Sequence, residues 1–185
     1  MGHAQLETSE LIFRGDFRLV VPFERMTEVN ASEGKLLLVY PGGRLTLELG
    51  AQAEKWANKI RTPKSLSDKL GVKPGARVAM LGLNDEGLLR DLRARQCALS
   101  TRMDPNAALI FLAAESRRDL DRLGAIRRAM KRDASVWVVR PKGVAAITER
   151  DVMQAGKDAG LVDVKVVRFS VTHTAEKFVI RVADR

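Results

Sequence analysis

Four groups of residues in this chain have types and spacings that could do chemistry. Gly82-Leu-Asn-Asp-Glu-Gly87 falls between an apolar strand pattern and a helical one, the place where an open α/β sheet binds ligands. Gly82, Asn84, Asp85 and Gly87 form a candidate ligand loop there, because backbone N–H groups at a helix start can hold an anion. Asp85 and Glu86 favour the competing reading, a helix cap that repels phosphate. Arg140-Pro-Lys142 ends a second strand, and a neighbouring positive pair could receive a carboxylate or phosphate or simply solvate a loop. Arg117, Arg118, Arg122, Arg127, Arg128, Lys131 and Arg132 cluster on or beside one helical segment. The last four lie in its C-terminal turns, where cations complement the helix dipole, and they could meet an acidic protein or a nucleic-acid backbone. His173 stands between Thr172 and Thr174. A general base needs a nucleophile or substrate in hydrogen-bond reach, and no Ser/His/Asp set follows from spacing, so a hydrogen bond inside a hairpin is the expectation. No catalytic residue is assigned.

Composition removes other classes. With two histidines and Cys97 as the one cysteine, no zinc site of His/Cys type and no disulfide framework is expected. The longest apolar run, Ala107 to Ala114, is eight residues, short of the roughly 18 a membrane span needs. Met1 to Glu10 is polar and does not read as a signal peptide. A soluble, cytoplasmic protein is expected. Only 5% of residues are aromatic and the basic segment has none, which disfavours base stacking on a single strand.

The 185 residues, 45% of them hydrophobic, leave room for one ordinary domain or two small ones. Residues 1–62 hold eight basic and eight acidic side chains, and residues 63–185 hold 24 and 15, so the whole net charge of +9 lies in the second part. Together with the turn signal at Thr62-Pro63 this predicts two domains, 1–62 and 63–185.

In the first, Glu10 to Arg14, Phe17 to Phe23, Lys35 to Tyr40 and Arg44 to Leu49 read as strands, and Leu45, Leu47 and Leu49 show the period of a half-buried one. Pro41-Gly-Gly43 is a hairpin turn. Ala53, Trp56, Ala57 and Ile60 then share one helix face, which would close a four- or five-stranded antiparallel sheet, with Trp56 in its core. This segment resembles the later half of a pleckstrin-homology-like or GRAM-like domain. The resemblance implies phosphoinositide binding only through a basic loop pocket. The loops here carry Glu7, Glu10, Asp16, Glu24, Glu28 and Glu33, so lipid binding is not expected. An exposed strand edge of this module could instead dock on a protein.

In the second domain a short helix from Ser65 to Gly71 precedes strand–helix alternation. The strands are Arg77 to Gly82, Ala98 to Met103, Ala107 to Leu112, Ser135 to Arg140, Asp163 to Phe169 and Lys177 to Val182. The helices are Glu86 to Cys97, Ser116 to Arg132 and Thr148 to Ala159. Such alternation predicts a largely parallel sheet. The last two strands have a connection short enough to require antiparallel pairing.

An open α/β sheet with that terminal hairpin resembles a Rossmann-type methyltransferase, with Lys73-Pro-Gly-Ala-Arg-Val-Ala-Met-Leu-Gly82 at the position of its first motif. Ala107 to Leu112 and Ser135 to Gly143 resemble that fold's fourth and fifth strands. The resemblance implies S-adenosylmethionine held by an acidic residue two places before the first glycine, by Gly-x-Gly-x-Gly, and by a carboxylate ending the next strand. Here the acidic position is Met80, the second and third glycine positions are Asn84 and Glu86, and only 25 residues separate Gly82 from Ala108. The interval holds one helix and a stub of strand where the full fold has two of each. A closer resemblance, from Ser65 onward, is to the bacterial domain of unknown function 3052 family. It is carried by Gly71 to Gly82, Val136 to Gly143, Ala159 to Val167 and Phe169 to Val179, and implies a small three-layer α/β domain with no known reaction.

The sequence thus predicts an antiparallel β module with a closing helix, then a truncated three-layer Rossmann-like domain. The expected function is a non-catalytic binding or regulatory module with no cofactor. The alternatives are an atypical S-adenosylmethionine-dependent methyltransferase and nucleic-acid or acidic-protein binding through the basic helix.

Overall fold

The computed structural model describes residues 2–7 and 9–184. The chain forms two compact units that divide between Ser65 and Leu66.

In the first unit, β1 (His3–Leu6), β2 (Glu10–Arg14) and β3 (Arg18–Pro22) make one antiparallel sheet. A second contains β4 (Glu28–Ser32), β5 (Lys35–Tyr40) and β6 (Gly43–Glu48). The sequence suggested a single sheet of four or five strands. The division falls at Pro22, which has no N–H to continue a ladder, followed by a 3-10 turn at Phe23–Arg25. Strands β1 and β4 were not anticipated. The β4–β5 hairpin turns through Glu33 and Gly34, both at positive φ (50° and 76°), as a two-residue type I′ connection requires. Helix α1 (Ala53–Arg61) brings Ala53, Ala57 and Ile60 onto Leu11, Leu36, Leu38 and Leu47, with Trp56 half-buried against the same cluster. Arg61 fastens the helix end by donating from Nε (3.0 Å) and Nη2 (2.8 Å) to the Val29 carbonyl.

The second unit contains α2 (Leu66–Leu70), β7 (Arg77–Leu81), α3 (Glu86–Ala94), β8 (Ala98–Ser100), β9 (Leu109–Ala113), α4 (Arg117–Leu120), α5 (Arg122–Ala129), β10 (Ser135–Pro141), α6 (Glu149–Asp158), β11 (Leu161–Arg168) and β12 (His173–Ile180). Its six-stranded sheet has the order β11-β12-β10-β9-β7-β8, with β8, β7, β9 and β10 parallel and β12 antiparallel between β10 and β11. Alternate strand residues point to opposite faces, so two cores form. Ala79, Leu81, Ile110, Leu112, Val136, Val138 and Phe178 meet Leu123 and Ile126 of α5 and Val152 of α6. On the other face Val78, Met80, Phe111, Trp137 and Val139 meet Leu70 of α2 and Leu88 and Leu92 of α3. Trp137 is fully buried, and its Nε1 donates to the Leu70 carbonyl at 3.0 Å.

In a doubly wound sheet of order 3-2-1-4-5, β8, β7, β9 and β10 take positions 2, 1, 4 and 5. The outer position beyond β8 is not filled: β8 is an edge strand of three residues. From its end the chain returns to β9 through loop 101–108, fixed by Arg77, whose Nε (3.0 Å) and Nη2 (2.8 Å) both reach Asp104 Oδ2. The unit is therefore a truncated, three-layer Rossmann-like sheet with a terminal antiparallel hairpin.

Several elements depart from the sequence reading. The segment from Ser116 to Arg132 is two helices joined at Asp121. Helix α3 ends at Ala94 and β8 at Ser100, each three residues short of the expected Cys97 and Met103. Strand β11 begins at Leu161, two positions before Asp163, and β12 at His173, four before Lys177. Among the described residues no helix is long and apolar enough to cross a membrane.

Candidate functional site

The chain leaves β7 on one side through α3 to β8 and returns on the other side to β9. Diverging connections of this kind open a crevice at the carboxyl ends of the central strands. Here it is a cavity of about 520 Å³ whose lining includes Gly82, Asn84, Asp85, Glu115, Thr172 and His173. A second cavity of about 540 Å³ lies toward β8, lined in part by Met80, Leu89, Arg93, Ser100 and Thr101 and sharing Gly82 and Asn84 with the first.

Gly82 has φ +79°, a conformation other residues adopt only with strain, so the strand turns sharply into the loop. Asp85 is the N-cap of α3, accepting from the Leu88 N–H at 2.7 Å. That bond engages the carboxylate with the helix's own donors. Of the candidate loop Gly82, Asn84, Asp85 and Gly87, the first three line the crevice, and Gly87 lies in the first turn of α3.

Glu115, Ser170 and Thr172 also line the crevice, and sequence reasoning did not single them out. Glu115 follows β9 and is steered by its own N–H, which donates to Asp119 Oδ2 at 3.0 Å. Asp119 closes a capping box with Ser116. The Ser116 N–H first, then its hydroxyl, hold the Asp119 carboxyl below its ordinary value. His173 opens β12 and donates its N–H to Ser170 Oγ at 3.0 Å, while its Nδ1 lies 2.9 Å from Thr172 Oγ1. Its Nε2 is 3.9 Å from Glu115 Oε1, with the Glu115 side chain 73% exposed. That separation exceeds hydrogen-bond reach, so hydroxyl, imidazole and carboxylate are neighbours without forming a relay. Among the described residues no group of three His, Cys, Asp or Glu side chains could hold a metal ion.

The basic residues occupy other places. Arg118, Arg122, Arg128, Lys131 and Arg132 are exposed along and just after α4 and α5, and Arg127 is half-buried. Arg117 pairs with Asp151 at 3.0 Å. Asp151 also accepts from the Thr148 hydroxyl (2.6 Å) and N–H (2.8 Å), and these bonds with Arg117 bring its carboxyl down to about 2. Arg140 turns into the core face of the sheet, where its Nη2 is 2.8 Å from Glu176 Oε1. Lys142 Nζ donates to the carbonyls of Ser170 (2.7 Å) and Val171 (3.3 Å); desolvation and then the nearby Arg168 charge depress its pKa. The sequence-selected residues thus fall in three groups: the crevice loop, the α4–α5 surface, and the end of β10.

No protein-family model and no curated protein sequence matches the chain. Among solved structures, similarity is found to LaPhzM (12% identity, TM-score 0.47), covering 70% of this chain and 59% of that one. A methyltransferase of calicheamicin biosynthesis in its SAH-bound form gives 18% identity and TM-score 0.47, covering 71% and 58%. A SAM-dependent methyltransferase from Aquifex aeolicus gives 15% identity and TM-score 0.43, covering 60% and 85%. The chain spans less than two thirds of the length of the first two.

The residues present do not fit an adenosyl cofactor as the methyltransferase resemblance requires. Strand β8 ends at Ser100-Thr101, the place of the ribose-binding carboxylate, and a cation, Arg93, lines that cavity. Position 80 is a buried methionine inside β7, and Asp85 caps α3.

Proposed function

We propose that the chain is a non-catalytic binding or regulatory module built on a methyltransferase-like core whose cofactor half is cut short. One observation carries this reading: β8 is a three-residue edge strand that ends in hydroxyl side chains where a ribose-binding carboxylate would stand. The 3.9 Å gap between His173 and Glu115 also supports it. Titration of the purified chain with S-adenosylmethionine tests the reading and is expected to give no saturable heat. The second unit is read as a member of the bacterial domain of unknown function 3052 family, whose motifs coincide with β7, β10 and the β11–β12 hairpin. The first unit is read as pleckstrin-homology-like or GRAM-like.

A second reading concerns the partner. Arg118, Arg122, Arg128, Lys131 and Arg132 form an exposed basic surface, suited to an acidic protein or a nucleic-acid backbone. Binding through it is electrostatic and weakens steeply with salt.

A further inference from the structure

Beyond the switch-point crevice, a cavity of about 590 Å³ opens at the end of β10, bounded by Arg140, Lys142 and Thr174, by loop residues Val144, Ala145 and Ile147, and by Thr148 and Glu149 at the start of α6. We propose that this cavity binds a small monocarboxylic acid, its carboxylate on the Arg140 guanidinium and its apolar body against Val144 and Ala145.

Arg140 is 7% exposed, and its buried Nε has no hydrogen-bond partner. The Nε itself is shielded from solvent, so an entering ligand meets only the part of the Arg140 side chain, 9% of it, that stays exposed on the cavity wall. Its Nη2 faces Glu176 at 2.8 Å. Glu176 is fully buried, and neither of its oxygens completes a well-directed hydrogen bond. Burial pushes the Glu176 carboxyl up, and the Arg140 charge opposes that shift. Of these two, Arg140 lines the cavity, so an entering ligand meets the cation.

Apolar walls with a few convergent polar groups, at a volume of roughly 300–1,000 Å³, are the usual form of a small-molecule site. The charges on the wall are Arg140 and Lys142 against Glu149. With Glu176 behind Arg140, these charges leave room for a single negative charge at most, and Glu149 opposes a phosphate dianion. The Lys142 ammonium is held by the Ser170 and Val171 carbonyls, so it stiffens the rim.

The test is calorimetric titration of the full chain with hexanoate, with hexanamide as the uncharged control of the same shape. Saturable hexanoate binding, at least about tenfold tighter than hexanamide, is expected. Ala145→Trp and Val144→Trp, both on the exposed rim, should each weaken hexanoate by about tenfold or more while circular dichroism and the unfolding midpoint are retained. The double variant Arg140→Met/Glu176→Met, which removes both buried charges together, should abolish binding. Silence with hexanoate, equal affinity for hexanamide, binding undiminished in the folded rim variants, or saturation by inorganic phosphate alone would each overturn the proposal.

Discussion

Arg140 and Glu176 form an ion pair of 2.8 Å across the β10–β12 ladder, with the Glu176 side chain fully buried and that of Arg140 9% exposed. Arg140 is paired with Thr174 and Glu176 with Val138 in the antiparallel register. The two charges are therefore diagonal neighbours on one face of the sheet, the face that packs against α5 and α6. Removing one member leaves the other charge buried without its counterion. Glu176→Ala or Arg140→Ala is expected to cost about 3–5 kcal/mol in denaturant unfolding, while Arg140→Met/Glu176→Met costs far less or nothing. Equal losses in single and double variants would contradict this.

The pair also sets a pH dependence. The folded Glu176 carboxyl binds its proton more tightly than the ordinary value of 4.5, desolvation being the largest cause and the Arg140 charge opposing it. Its contribution to stability is therefore fully present below pH 4.5 and lost as pH rises through the folded value. Asp151 behaves oppositely: held at about 2 against an ordinary 3.8, it stabilises above 3.8 and loses that contribution as pH falls toward 2. Unfolding free energies measured against pH should show wild type losing ground to Glu176→Gln as pH rises from 4.5, and to Asp151→Asn as pH falls below 3.8. Parallel curves for wild type and either variant would refute that assignment.

Much of the second unit was legible because β7, β9 and β10 are buried on both faces and so appear as short continuous apolar runs. The beginning of β12 was not legible. His173-Thr-Ala-Glu176 carries polar residues into the interior, and Glu176 meets its counterion on β10, which no local pattern contains. The break at Asp121 escaped notice because Leu120, Leu123, Ile126 and Met130 are all buried, so the apolar stripe continues through the joint between α4 and α5. Strand β4 was missed since Glu28, Asn30 and Ser32 dominate its five residues. At the crevice, the Gly82 to Asp85 loop was visible from its strand-to-helix position. Glu115 and Thr172 were not, because only the sheet order brings their loops beside it.

Helix α6 packs against β12 at Gly156, where an added Cβ would lie 2.3 Å from Cε1 of the buried Phe178 ring. Alanine normally stabilises a helix interior by up to about 1 kcal/mol over glycine. Here overpacking dominates, and Gly156→Ala should destabilise by about 1–3 kcal/mol. A rise in the denaturation midpoint would show that the contact yields.

For the basic surface, charge reversal at Arg128 and Arg132 should reduce binding to duplex or single-stranded nucleic acid, or to an acidic protein, and flatten the salt dependence of what remains. Electrophoretic mobility shifts at low salt check the nucleic-acid branch. Absence of any shift with either probe would leave an acidic protein as the partner class for this surface.

The central claim is that the shortened sheet no longer holds an adenosyl cofactor. Calorimetric titration of the full chain with S-adenosylmethionine at low salt tests it most directly. The account predicts heats indistinguishable from dilution, because β8 ends at Ser100-Thr101 and Asp85 is committed to the α3 cap. Saturable micromolar binding, lost when Gly82 is replaced, would contradict it and make the crevice a working methyl-donor site.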